Sequence, residues 1–151
     1  MPHHLSQSGK VEEDASIQQL GSDFTNARCL WNSEVKIILQ RHLDSIKSDY
    51  TTPNNLQTNE QRIKLLTNTL SYVNSFNNYD NTEQIESAHN LAIQYNNINE
   101  WELACINNNR IDEYDEAISL LPTLRSKVEQ GIIQRSEIES LLDELKKYQI
   151  Q

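Results

Sequence analysis

Four histidines and two cysteines are the side chains of this 151-residue chain best suited to proton transfer, nucleophilic attack or metal binding near neutral pH. Their spacing works against all three. His3 and His4 stand in a polar N-terminal tail, His42 and His89 fall on separate helical segments, and Cys29 and Cys105 lie far apart without companions at metal-ligand spacing. The cysteines read as reduced, structural thiols of an intracellular protein. Carboxylates cluster at residues 12–14, 112–116 and 143–144, the pattern of solvated helix faces and first-turn dipole compensation. Gly9, Gly21 and Gly131 are too scattered to cradle a phosphate. Neither a catalytic residue, a metal ligand nor a cofactor site is expected, and no small-molecule substrate.

The charge balance narrows the partners. At a net charge of -9 and a pI near 4.8, the chain as a whole is repelled by phosphate backbones and has no basic stripe to release counterions. It can serve a nucleic-acid machine only where another protein makes the contacts. No apolar run approaches the roughly eighteen residues of a membrane span, and Met1-Pro2-His3-His4 lacks the apolar region of a signal peptide. A cytosolic or nuclear protein is expected.

With no reactive set to position, the elements must serve contact. The length suits one domain with one core, small for its size, because hydrophobic residues make up only 36% and asparagine is frequent. Residues 101–124 anchor the reading: Trp101, Leu103, Ala104 and Ile106, then a polar break through Asn107, Asn108 and Asn109. A second segment follows, with Ala117, Ile118, Leu120 and Leu121 facing inward until Pro122 closes it. Residues 121–124 then read as a helix end and a turn. Asn99 can cap the first segment with Glu102 returning the bond, and Asp112 can cap the second.

The other helices follow from period and caps. Asn32, Ser33 and Glu34 start one that carries Val35, Ile38, Leu39, His42, Leu43 and Ile46 on one face. After a loop over residues 48–57, Thr58 and Gln61 form a capping box ahead of Ile63, Leu66, Leu70, Val73 and Phe76, with Tyr72 on the shoulder. Ile85, Ala88, Ala92 and Tyr95 share a third face, with His89 beside it. Ser136 and Glu139 cap a last helix carrying Ile138, Leu141, Leu142, Leu145 and Tyr148. Six helices and an all-α class result. Ahead of them, residues 1–10 read as a disordered tail and residues 11–31 as an extended arm, whose unpaired backbone groups fit the edge of a partner's sheet or a groove on a partner, the plainer alternative being an ordinary flexible tail.

In this order the motifs resemble a known family, the fourth subunit of eukaryotic RNA polymerase II together with its archaeal counterpart. The carrying residues are the acidic start Val11-Glu12-Glu13-Asp14-Ala15-Ser16, the helix start Asn32-Ser33-Glu34-Val35, and Thr69-Leu70-Ser71-Tyr72 with Phe76 and Tyr79. Trp101-Glu102-Leu103-Ala104-Cys105 and Glu116-Ala117 with Leu121-Pro122 complete the set.

The resemblance implies a compact helical domain over residues 32–149, of the helicase and RNase D C-terminal-like type, and a non-catalytic role. It implies a stalk heterodimer with the seventh polymerase subunit, docked near the clamp beside the large subunits, with nascent RNA reached through that partner. A nuclear location follows, with cytoplasmic shuttling left open. The expected interface comprises Val11, Glu12, Asp14, Ala15, Ile17, Leu20, Phe24, Leu30, Trp31, Val35 and Ile38. Tyr72, Phe76, Trp101, Ala104, Ala117, Leu121 and Pro122 are expected to be structural. The equivalent subunit of RNA polymerase III and a free-standing helical nucleic-acid-binding module are the alternatives.

Overall fold

A computed structural model describes residues 13–24, 26–48 and 56–150, with side chains in the second helix from residue 60 onward. Val11, Glu12, the tail over residues 1–10 and most of the loop expected over residues 48–57 lie outside the described residues. Among those described, seven α-helices follow two 3-10 turns: α1 (Asn32–Ser48), α2 (Leu56–Ser75), α3 (Thr82–Ala92), α4 (Glu100–Asn109), α5 (Tyr114–Leu120), α6 (Pro122–Glu129) and α7 (Arg135–Lys146). The all-α class holds, with one helix more than expected, because Pro122 does not merely end a helix. Lacking an amide, it stops α5, yet at the first position of α6 no amide is needed, so the same residue opens the next helix.

The core is built where the 3.6-residue period is cleanest. On α7, Ile138, Leu141, Leu142 and Leu145 are all buried, and Ile85, Ala88 and Ala92 of α3 pack in the same cluster, with Ile106, Ile111, Leu124 and Ile133 from the surrounding segments. α3 and α5 both pack on α7, and α5 packs on α6. Ala117 and Leu121 point inward as expected, but Leu120 is exposed and Ile118 only half-buried. The helix ends at Leu120, so its inward face is short.

The expectation of one core is corrected. α1 and α2 pack against each other and bury Leu43, Ile46 and Val73 outside the main cluster, giving a helical hairpin with its own small apolar seam. On α1 the inward line is Val35, Leu39, Leu43 and Ile46, while Ile38 and His42 lie exposed at its far edge. On α2, Tyr72 and Phe76 are exposed too and meet each other, their ring centres 4.9 Å apart.

Caps divide in the same way. Asn99 and Glu102 form the expected reciprocal box, with both bonds at 2.9 Å. Asp112 does not cap α5: Glu113 occupies that position without a side-chain bond, and Asp112 Oδ1 is buried with no hydrogen-bond partner. α7 begins earlier than Ser136 implies, since the Glu137 carboxylate accepts the Gln134 amide at 2.7 Å, and Glu139 instead pairs with Arg135. Thr58 lies inside α2, which extends back to Leu56. The polar break at Asn107–109 is not a break either. α4 runs through Asn109 and ends on Arg110 in the left-handed conformation, φ 52°.

Candidate contact surface and the polar groups that hold it

Ahead of α1, Asp14 accepts both the amide and the hydroxyl of Ser16, at 2.9 and 2.6 Å, and so caps the first 3-10 turn (Ala15–Ile17). Those two bonds hold its carboxyl below the usual carboxylate range. Asp14 and Gln19 then pair through their backbones, and the second turn (Ser22–Phe24) follows Gly21 at φ 88°. Glycine suits that conformation, while the one close neighbour, Glu13 Oε1 at 2.7 Å from a Cβ placed there, is the end of an exposed side chain that can move aside. The described part of the arm is thus curled rather than extended throughout, its short polar side chains offering the backbone local bonds in place of a ladder.

The apolar residues expected to meet a partner separate into two groups. Ile17, Phe24, Leu30 and Ile38 are about half exposed, at 52%, 59%, 46% and 51%, while Leu20 and Val35 are half-buried and Asp14 and Ala15 exposed. Trp31 is different. At 2% exposure it belongs to the core, its indole stacked on His89 at 4.1 Å between ring centres and on Tyr79 at 5.7 Å. Trp31 also stands at the cap position just before α1, where its amide donates to Glu34 Oε2 at 2.8 Å and its carbonyl accepts the amides of Glu34 and Val35. The spacing Trp31-x-x-Glu34 was the available signal, being that of a cap residue and its returning carboxylate. His89 Nε2 lies 3.1 Å from Glu34 Oε1, within ion-pair distance but off the line of a hydrogen bond.

Two buried polar groups have long-range roles that sequence reasoning did not assign them. Asn107 ties α4 to the turn before α3: its Oδ1 accepts the Tyr79 hydroxyl, its carbonyl accepts from Asn78, and within α4 its Nδ2 donates to the Leu103 carbonyl at 2.9 Å. Next to it Asn108 accepts the Asn32 amide at 2.7 Å, tying α4 to the start of α1. Glu102 is the other, fully buried beyond its capping role. Its oxygens accept from Lys127 Nζ at 2.6 Å and from Thr123 Oγ1 at 2.8 Å, so one carboxylate holds α4 to α6.

Burial pushes the Tyr79 hydroxyl up to about 12, against a smaller opposing hydrogen bond with Gln149. A raised value means the fold favours the neutral phenol. Its contribution is present in full below pH 10 and is lost as the pH climbs from 10 to 12. The stability difference between the native chain and Tyr79→Phe is therefore expected to be constant to pH 10 and to shrink above it, as read by urea unfolding at stepped pH. Burial likewise raises the Cys105 thiol to about 11, with Cys29 and Glu102 adding to the effect, and raises that of Cys29. Both cysteines are free.

Among the described residues no group of three or more His, Cys, Asp or Glu could hold a metal ion, and no helix is long and apolar enough to cross a membrane. Of the expected structural residues, Ala104, Ala117 and Leu121 are buried, Trp101 is half-buried, and Pro122, Tyr72 and Phe76 are exposed. Trp101 lines an open groove of about 980 Å³ between α4 and the arm, together with Gln18, Leu20, Phe24 and Glu100.

The described side chains compose an all-helical domain, with buried polar groups joining the helices and exposed apolar side chains on the arm and on α1 as well as on other helices. Residues 29–149 match the RNA polymerase Rpb4 family, and the chain belongs to that family. It is similar to DNA-directed RNA polymerase II subunit rpb4 of Dictyostelium discoideum, 30% identical over 150 residues covering 93% of this chain and 92% of that protein. It is also similar to DNA-directed RNA polymerase II subunit 4 of Arabidopsis thaliana, 28% identical over 120 residues, 80% of this chain and 83% of that one.

Proposed function

We propose that the chain is a non-catalytic subunit of nuclear RNA polymerase II and pairs with the seventh subunit to form the stalk near the clamp. Through that partner it supports initiation and the handling of nascent RNA. The observation that carries this reading is the family match over residues 29–149, and both relatives named above are polymerase II subunits. The exposed Ile17, Phe24, Leu30 and Ile38 support it physically, since exposed apolar side chains gain from burial against another protein. The net charge of -9 supports a role exercised through protein contacts.

The test is a tagged pull-down from nuclear extract, read by mass spectrometry. Recovery of a seventh-subunit homologue with the large polymerase II subunits is expected; recovery of polymerase III subunits would change the machine, and recovery of neither would overturn the reading. Ile38→Asp is expected to fold, because the site is 51% exposed, and to lower recovery of the partner at least tenfold by placing a charge in an apolar contact. Undiminished recovery would remove α1 from the interface.

A further inference from the structure

The arm does not hang free of the helical body. Gln18, in the left-handed conformation at φ 62°, turns its side-chain amide onto two helix starts at once. Its Oε1 accepts from Asn99 Nδ2 at 2.9 Å, and its Nε2 donates to Thr123 Oγ1 at 3.3 Å. Both receiving groups are already fixed. Asn99 is the cap of α4, using its oxygen on Glu102 and leaving its amide nitrogen for the arm. Thr123 donates its hydroxyl proton to the buried Glu102, which Lys127 holds from the other side. The first 3-10 turn independently packs on α6.

We propose that residues 13–24 form a pre-docked strap, and that Gln18 is the positioning residue that latches it to the Asn99–Thr123–Glu102 cluster. The strap is set before any partner arrives. Docked, it covers one side of the Trp101 groove with Leu20 and holds Ile17 and Phe24 outward in a fixed arrangement, so a partner meets a formed surface and does not have to order it. The inference extends the interface reading above, but the docking does not depend on which machine the chain joins.

Hydrogen exchange on the full chain, without partner, separates the two. The amides of Asp14, Gln18 and Gln19 donate to the carbonyls of Gln19, Ala15 and Asp14 at 2.8, 3.2 and 2.9 Å. They are expected to exchange about tenfold or more slowly than in an unstructured peptide. Gln18→Ala is expected to remove most of that protection while leaving the amides of α3 and α7 unchanged. Thr123→Val, which deletes the hydroxyl that Gln18 meets, is expected to do the same over residues 14–19. Exchange of these amides at the unstructured rate in the unaltered chain would overturn the proposal. So would undiminished protection in Gln18→Ala, or a loss spread equally into α3 and α7, which would make Gln18 a general support of the fold. A failed pull-down with protected amides would sink the polymerase reading and leave the strap standing.

Discussion

Replacing Trp31 with alanine is expected to destabilise the fold by about 3–5 kcal/mol, the range for removing a large aromatic side chain from a packed site. The indole is 2% exposed, and it stacks with two rings, His89 of α3 and Tyr79 of the turn before α3. Its loss opens a space that these rings cannot collapse to fill. The position adds a second effect. Trp31 stands at the entrance to α1, where the hairpin of α1 and α2 meets the bundle, and the hairpin's own seam of Leu43, Ile46 and Val73 lies outside the main cluster. Urea unfolding followed by circular dichroism should show the lower midpoint. A transition that splits in two, hairpin before bundle, would identify the indole as the joint; an unchanged midpoint would refute the packing.

Lys127→Met is expected to cost a similar amount, about 3–5 kcal/mol, for a different reason. Glu102 is fully buried, and Lys127 Nζ at 2.6 Å is its one cationic partner in the described ion pairs. Without it the carboxylate keeps the Thr123 hydroxyl and the Asn99 amide, two neutral donors that cannot offset the desolvation of a full charge. For a chain of this length the fall in melting temperature should be on the order of 10 °C, measured by calorimetry. Removing both members, as in Lys127→Met with Glu102→Leu, should recover part of the loss, because an apolar pair leaves no buried charge. The contrast is Arg28–Glu100, 81% and 55% exposed at 3.2 Å, whose removal should change stability by less than about 0.5 kcal/mol.

What could be read in advance follows from how local each determinant is. The stripe of α7 and the Asn99–Glu102 box rest on neighbours three or four residues apart, and both stand as expected. Asn107 could not be read that way. An asparagine inside a helix is a breaker only if its side chain has nothing to bind, and the Tyr79 hydroxyl that donates to the Asn107 oxygen is 28 residues away. Trp31 misled for a related reason, since an aromatic residue just before a helix serves a partner or a core equally well, and the deciding contact with His89 is long-range. Pro122 was recognised as a stop but not as a start, although its missing amide allows both. Ile17 and Phe24 were legible as apolar residues outside any periodic face, whereas Ile38 was placed on the periodic face of α1 and lies outward at its edge. The Gln18 latch was not, because glutamine in an arm carries no pattern that points to residues 99 and 123.

The separation of hairpin from bundle also separates charge. Residues 32–76 contain five lysines and arginines against four aspartates and glutamates, whereas residues 77–150 contain six against fourteen. Nearly all of the net charge of -9 therefore sits on the bundle, and the hairpin is almost neutral. Phosphate groups therefore repel the bundle more strongly than the hairpin. That difference weakens as salt shortens the reach of the field.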